Sequence, residues 1–435
     1  MKHLTYLSLF LILAIAFSSC AKKDPMKTPV KVEVKQVDGR YQLYRDGKPF
    51  YILGAGCEFG DIRRLSEHGA NSFRTWRTEN GQQSGQAVLD SAYACGLTVL
   101  MGLEIARERH GFSYDDTAAV RKQFEYVKGE VMKYKDHPAL LAWGIGNELN
   151  LRATNMKVYD AVNEIAKMIH EIDPNHPATT MTAGIGKTEV DYIKENCKEI
   201  DFLSIQMYGD IINLQTRIKD AGWEGPYMVT EWGATGHWEV GKTSWGAPIE
   251  QTSHEKAASF TERFTKAIAV DTTHCLGSYV FLWGQKQERT PTWYGMFTEN
   301  NEEMETVEAM HKIWTGEWPA NRCPQLDSFR LDGKNAFQSI ELKAKKSYKA
   351  LVGANDPDND ALTYRWEIMP ESTDLKDGGD LESRPGPIAG LFTEPVGSEL
   401  EFTTPETPGA YRIFVYVLDG KGHAATANIP FMVKK

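Results

Sequence analysis

Two apolar runs of strand character each end on a glutamate: Leu141-Ala142-Trp143-Gly144-Ile145-Gly146-Asn147-Glu148 and Pro226-Tyr227-Met228-Val229-Thr230-Glu231. Runs of this length and composition, bounded by turn residues, are the signature of buried strands, so each would deliver one carboxyl group to a strand end. Cleaving a glycosidic bond with retention requires two carboxyl groups about 5 Å apart, one protonated to release the leaving group and one ionised to attack the anomeric carbon. Mutual repulsion would split their pKa values and raise that of the acid. Asn147 could donate a hydrogen bond to a sugar 2-hydroxyl. Arg74, always charged, would keep Glu231 ionised.

Such a pair must be brought together by the fold, and the surrounding pattern predicts how. Between Pro49 and Trp314, strand-like runs alternate with amphipathic helical runs eight times. Eight strand-helix units in about 270 residues predict a (β/α)8 TIM barrel. Glu148 then ends the fourth strand and Glu231 the seventh, three units and 83 residues apart, or about 28 residues per unit, near the roughly 30 of a βαβ unit. An open doubly wound sheet is the competing architecture, but no Gly-x-Gly-x-x-Gly follows the first strand. Barrel geometry places Arg74, Trp76, Glu104, Asn147, Glu148, Tyr208, Glu231 and Trp283 at the carboxyl ends of strands, around one bowl. Glu58 and Glu104 are the rival carboxylates, and Glu104, close to Arg107 and Arg109, reads as ion-paired. The segment from Trp232 to Thr252 is long, lacks helical period and carries Trp238 and Trp245, which favours a functional loop. Trp76, Trp238, Trp245 and Trp293 are candidates for either packing or sugar subsites, and His110 reads as a loop histidine.

Composition narrows the partners. The formal charge is −10, with no Lys/Arg cluster able to hold a phosphate backbone, which argues against nucleic acid and suits a neutral substrate. Tryptophan (11) and tyrosine (18) are plentiful, and their flat amphipathic rings suit the apolar faces of sugars. Lys2 and His3 open a 14-residue apolar run from Leu4 to Phe17, the length of a signal-peptide core and short for a membrane span. Phe17-Ser18-Ser19-Cys20 follows, resembling a bacterial lipoprotein signal cleaved before a lipidated Cys20, with an ordinary secreted protein as the alternative. The expected organisation is a signal peptide over 1–19, a lipidated tether over 20–29, the barrel over 30–320 and a β-domain over 324–435. Five cysteines remain beyond Cys20, an odd number whose spacing matches no zinc site.

Five elements in order, Asn71-Ser72-Phe73-Arg74, Trp143-Gly144-Ile145-Gly146-Asn147-Glu148, Tyr208, Thr230-Glu231-Trp232-Gly233 and Tyr279-Val280-Phe281-Leu282-Trp283, resemble the motifs of clan A retaining glycoside hydrolases. The resemblance implies Glu148 as acid/base, Glu231 as nucleophile, Tyr208 near the nucleophile and Trp283 under the sugar at the −1 subsite, with no metal or organic cofactor. Within the clan, the lipoprotein signal, barrel and C-terminal domain most resemble the endo-β-1,3-glucanases of glycoside hydrolase family 158, with family 2 barrels next. This implies a monomeric outer-membrane lipoprotein hydrolysing laminarin-type β-glucan. Another β-linked polymer (mannan, mixed-linkage glucan, galactan) or a non-catalytic glycan-binding lipoprotein are the alternatives. From Ser328 onward, strand-like runs separated by turns predict an immunoglobulin-like sandwich resembling PKD-like domains, read as a spacer. Asp356, Asp358, Asp360 and Glu367 match positions 1, 3, 5 and 12 of a calcium loop, but Ala361 replaces its glycine, so a solvated turn is the better reading.

Overall fold

The computed structural model describes residues 28–394 and 397–435; the expected signal peptide and Cys20 lie outside them. Three short strands open the chain, β1 (Val32–Val37), β2 (Arg40–Arg45) and β3 (Lys48–Pro49), joined by tight turns at Asp38-Gly39 and Asp46-Gly47. All four turn residues have positive φ, between 50° and 78°, which a two-residue hairpin turn demands and which Asp-Gly supplies at little cost.

Eight parallel strands then close into a barrel: β4 (Ile52–Gly56), β5 (Ser72–Arg74), β6 (Thr98–Leu103), β7 (Leu140–Ile145), β8 (Ala178–Ala183), β9 (Phe202–Gln206), β10 (Tyr227–Glu231) and β11 (Cys275–Val280). Eight α-helices accompany them: α1 (Ile62–Glu67), α2 (Gly85–Ala94), α3 (Thr117–Tyr134), α4 (Lys157–Ile172), α5 (Lys187–Asn196), α6 (Leu214–Ala221), α7 (Ser253–Arg263) and α8 (Glu305–Thr315). Their starts follow local chemistry. Asp61 and Asp116 accept from the first backbone N–H groups of α1 and α3, and Thr252 forms a reciprocal capping box with Glu255 at α7.

One apolar cluster fills the space between strands and helices, and a second fills the barrel interior, where Ile52, Leu100, Leu141, Met181, Phe202 and Met228 meet. Val32 and Leu43 of the hairpin belong to that interior cluster, so the hairpin stoppers the amino-terminal mouth. The carboxyl-terminal mouth stays open.

After the barrel the chain builds two further sheets. β13 (Gln325–Leu331), β15 (Ser347–Asn355) and β17 (Glu399–Thr403) form one; β16 (Thr363–Pro370), β18 (Gly409–Leu418) and β19 (His423–Lys434) form the other, joined by β14 (Ile340–Lys343). Residues of both sheets share one core. β14 and β15, though separated by only three residues, lie in different sheets, the chain turning where Lys345 takes φ 54°. The five cysteines among the described residues are free thiols.

This β-unit is not a detached spacer. β12 (Glu303–Met304), just before α8, pairs in parallel with β19, so one sheet runs from barrel to β-unit. Beneath it, Arg412 donates to Glu371 Oε1 (2.7 Å), Asn428 Oδ1 (2.6 Å) and the Pro248 carbonyl (2.9 Å). Asn428 donates to Glu250, which also takes Lys256 Nζ at 2.5 Å. A buried network of this kind strands charges when one member is removed. Arg412→Ala should therefore cost about 3 kcal/mol of stability in chemical denaturation, with the barrel and β-unit unfolding together. Unchanged stability would show that the two units are only loosely joined.

Candidate active site

Glu231, the last residue of β10, is buried and surrounded by donors. Its Oε1 accepts from Arg74 Nη1 at 3.1 Å, Trp76 Nε1 at 2.8 Å and Gln206 Nε2 at 3.2 Å, and its Oε2 accepts from the Tyr208 hydroxyl at 2.8 Å. Arg74 has no exposed surface and spends its other amino group on Asn147 Oδ1 at 2.7 Å. Gln206 donates to the same Asn147 oxygen at 2.8 Å. The Asn147 side-chain carbonyl is thereby used up, which turns its NH2 group toward the cleft as a free donor. Burial, and next the Glu231 charge, hold the Tyr208 hydroxyl well above the usual phenol range, so it stays a donor. Glu231 is thus met by one cationic and three neutral side-chain donors.

Glu148 lies just beyond the end of β7 with φ 50°, a left-handed backbone that costs a side-chain-bearing residue about 1 kcal/mol or more. Its carboxyl lines the cleft and receives none of the donors that hold Glu231. Burial, then the Glu231 charge, push its pKa up to about 8 against the opposing fields of Arg107, Arg109 and Arg74. Two carboxyl groups in one cleft thus differ: Glu148 is held protonated at neutral pH, and Glu231 is met by four side-chain donors.

Of the residues expected from sequence, Arg74, Trp76, Asn147, Glu148, Tyr208 and Glu231 converge. Trp238 lines the cleft with 56% of its surface exposed, edge-on to Tyr208 with ring centroids 5.6 Å apart. Two expected sugar platforms present no exposed ring, although Trp283 borders the cleft. Trp283 is 0% exposed, packs on Phe297 and Trp314 and donates its indole N–H to the Asp61 carbonyl. Trp293 is 1% exposed and its N–H is spent on the Thr235 carbonyl. Phe281, two residues before Trp283, faces the cleft and meets Trp76, Tyr208 and Tyr294 edge-on. Gln206 was not anticipated, although its place at the end of β9 was a usable signal. Glu58 is tied to Arg77 at 2.7 Å; Arg107 donates to the Asn147 backbone carbonyl, and Arg109 pairs with Asp380 rather than Glu104.

The cleft measures about 1550 Å³, beyond the roughly 300–1,000 Å³ of a drug-sized pocket. Its lining carries eleven carboxylates against four Lys or Arg, and one wall is made by residues 377–381 of the β-unit.

A closed parallel barrel thus gathers two carboxyl groups, one of them held protonated, at its carboxyl-terminal mouth. The chain belongs to the glycosyl hydrolases family 2 TIM barrel domain family, whose model matches residues 58–301. Over 64 residues, 14% of this chain and 15% of the relative, it is 39% identical to mannan endo-1,4-beta-mannosidase F of Aspergillus clavatus. Over 236 residues, 47% of this chain and 34% of the relative, it is 23% identical to the beta-glucuronidase of Sus scrofa. The fold is similar to that of a beta-D-glucuronidase from Dictyoglomus thermophilum (TM-score 0.51, 16% identity, 66% of this chain and 54% of that one). The chain thus spans well under two thirds of these relatives' lengths.

The raised pKa of Glu148 gives a signed expectation. An acid that must be protonated works below its pKa, so kcat/KM should fall as pH rises through about 8, and Glu148→Asp should displace that limb. Stability follows the same group. A carboxyl whose folded pKa exceeds its unfolded value destabilises the fold increasingly as pH rises between the two. Glu148→Gln should accordingly unfold at higher temperature than wild type at pH 9, with the gap closing near pH 4.

Proposed function

We propose that this chain is a retaining endo-β-1,3-glucanase acting on laminarin-type β-glucan, like the family 158 enzymes its motifs resemble. The observation that carries the mechanism is the contrast between the two carboxyl groups. Glu231, held by Arg74, Trp76, Gln206 and Tyr208, attacks the anomeric carbon; Glu148, protonated, gives its proton to the departing glycosidic oxygen. The leaving sugar then departs as an alcohol and a covalent glycosyl-Glu231 remains. Glu148, now ionised, takes a proton from water, which attacks the same carbon and regenerates both groups. The free Asn147 NH2 group donates to the sugar 2-hydroxyl, a bond that strengthens as positive charge develops on the ring.

Three features support a neutral polymer. The cleft exceeds the size of one or two sugars, its acidic surplus opposes a uronate or other anion, and exposed aromatic side chains stand at its rim. A β-1,4-mannan is the second reading, favoured by the 64-residue likeness to the Aspergillus clavatus mannanase. The β-unit is read as immunoglobulin-like. Cys20 is proposed to carry the lipid that holds a monomeric enzyme on the outer membrane, at the cell surface.

Wild type should release oligosaccharides from laminarin with the β-anomer formed first by NMR. Glu231→Ala should lower turnover by about 10³-fold or more while leaving laminarin binding measurable. Faster release from mannan than from laminarin would replace the glucan reading with the mannan one, and retention of near wild-type turnover in Glu231→Ala would sink both.

A further inference from the structure

Three carboxylates converge where two turns of the β-unit meet the segment that leaves the barrel. Asp356 and Asp360 belong to the turn between β15 and β16, and Asp419 to the turn between β18 and β19. One oxygen from each lies within 4.8 Å of the others. The set differs from the calcium loop matched in the sequence, because Glu367, its twelfth-position residue, pairs with Arg384 at 2.9 Å instead. Two turns far apart in the chain take the place of one loop.

Like charges gathered this closely repel, and their partners leave part of the cluster unmet. Asp356 Oδ1 accepts from the backbone N–H groups of Asp358 (2.9 Å) and Asp360 (3.0 Å). Asp419 Oδ1 accepts from those of Lys421 (2.7 Å) and His423 (3.1 Å), and its Oδ2 lies 2.5 Å from His423 Nδ1. Lys421 Nζ stands 4.0 Å from Asp360 Oδ1 on a mostly exposed side chain, too far to neutralise the group. Asp356 Oδ2 is buried with no hydrogen-bond partner among the described residues. A second oxygen beside it shares that state. Asn321, six residues past the end of α8, donates Nδ2 to Asp360 at 2.8 Å and to Asp358 at 3.2 Å, while its Oδ1 is buried and unpartnered.

A carboxylate oxygen and an amide carbonyl oxygen can only accept, so their common complement is a donor or a cation, and the surrounding negative charge favours the cation. Burial of both atoms suits this. Oxygens that close around a calcium ion stand about 2.3–2.6 Å from it, nearer than a water molecule packs, so their inner faces show no surface to water. The partly exposed Asp360 and exposed Asp358 leave one side open for entry. Opposite ligands of calcium are about 5 Å apart, in keeping with the spread of the three carboxylates, whereas magnesium demands a tighter octahedron at about 2.0–2.1 Å. An all-oxygen set is also a poor match for zinc, which prefers nitrogen and sulfur.

We propose that Asp356, Asp360, Asp419 and Asn321 bind one calcium-sized divalent cation, which fastens the segment leaving the barrel to the β-unit. The neighbours show what such an ion would hold. Arg322, next to Asn321, donates to both Glu308 oxygens of α8 at 2.9 Å and through its backbone to Asp358 at 2.6 Å. On the other side, His423 Nε2 lies 3.8 Å from Glu303 of β12, where the sheet shared by barrel and β-unit begins. None of the four proposed ligands lines the cleft, so the inference stands independently of the glycosidase reading, and its readouts are binding and stability.

The test strips the full-length protein with a chelator, dialyses the chelator away and titrates with calcium chloride by calorimetry. One calcium per chain should bind with a Kd on the order of 10⁻⁴ M or tighter. At a hundredfold excess over that Kd, the unfolding temperature should rise by about 3 °C, and magnesium at the same concentration should give less than half the rise. Asp356→Asn keeps the Oδ1 acceptor for both backbone N–H groups and replaces the unmet oxygen with an NH2 group. It should weaken calcium binding at least tenfold while the calcium-free variant unfolds no lower than calcium-free wild type. Asp360→Asn is the second cluster variant, and Glu406→Gln, an exposed carboxylate of the same β-unit paired with Lys345, should keep the full calcium response. No calcium binding by wild type, an equal rise with magnesium, or wild-type affinity in both cluster variants would overturn the site.

Discussion

Everything at the open end of the barrel depends on supplying hydrogen-bond donors to one buried carboxyl group, Glu231, where water is scarce. Taking a carboxylate out of water costs several kcal/mol, and a second carboxyl group in the same cleft adds repulsion. The Arg74 guanidinium answers both, and it needs its own supports: the Thr230 carbonyl, Asn147 Oδ1 and Glu231 Oε1 are all within 3.1 Å. Those contacts join β5, β7 and β10, and Gln206 brings in β9. Ordered strands fix the charge network, and the network fixes the relative placement of strand ends that have few other ties. A lysine at position 74 could not do this, because its single ammonium lacks the planar fork that reaches two partners at once.

Glu148 acquires its character by exclusion. The donors at the cleft floor converge on Glu231 and Asn147, so the second carboxyl faces desolvation and a like charge with only the fields of three arginines in opposition. One of them, Arg109, is paired with Asp380 of the β-unit, which reduces the positive field acting on Glu148. The β-unit therefore touches the chemistry electrostatically as well as through the cleft wall. That link accounts for why the barrel and the β-unit share a sheet instead of a flexible linker: a wall that moved would move a charge beside the acid.

The barrel was legible because alternation of strand and helix periods repeated eight times, and each repeat constrains the next. Arg74, Asn147, Glu148, Tyr208 and Glu231 were legible because polar groups at the ends of apolar strands have few structural uses in a barrel. Aromatic residues were less so. Trp283 and Phe281 are two residues apart on a segment leaving β11, so regular alternation would put both rings on one side, yet Trp283 is buried against Phe297 and Trp314 while Phe281 meets Trp76 and Tyr208. Trp293 has the composition of a sugar platform and the environment of a core residue. Gln206 sits at a strand end as plainly as Tyr208 does nearby, yet an amide signals less chemistry than an acid or a phenol.

The β-unit's part in the cleft was not legible, and the reason is physical. The contacts that make it, Arg109 with Asp380 and Arg289 with Glu382, span 271 and 93 residues and join loops with no periodic signature. An Asp-Gly-Gly-Asp stretch reads locally as a solvated turn. Its glycines become meaningful only when another surface approaches within van der Waals contact, as Leu151 and Arg109 do at Gly378. Folding thus assembles the cleft in two stages: strand ends define its floor from signals within each unit, while long-range docking supplies the wall beside it.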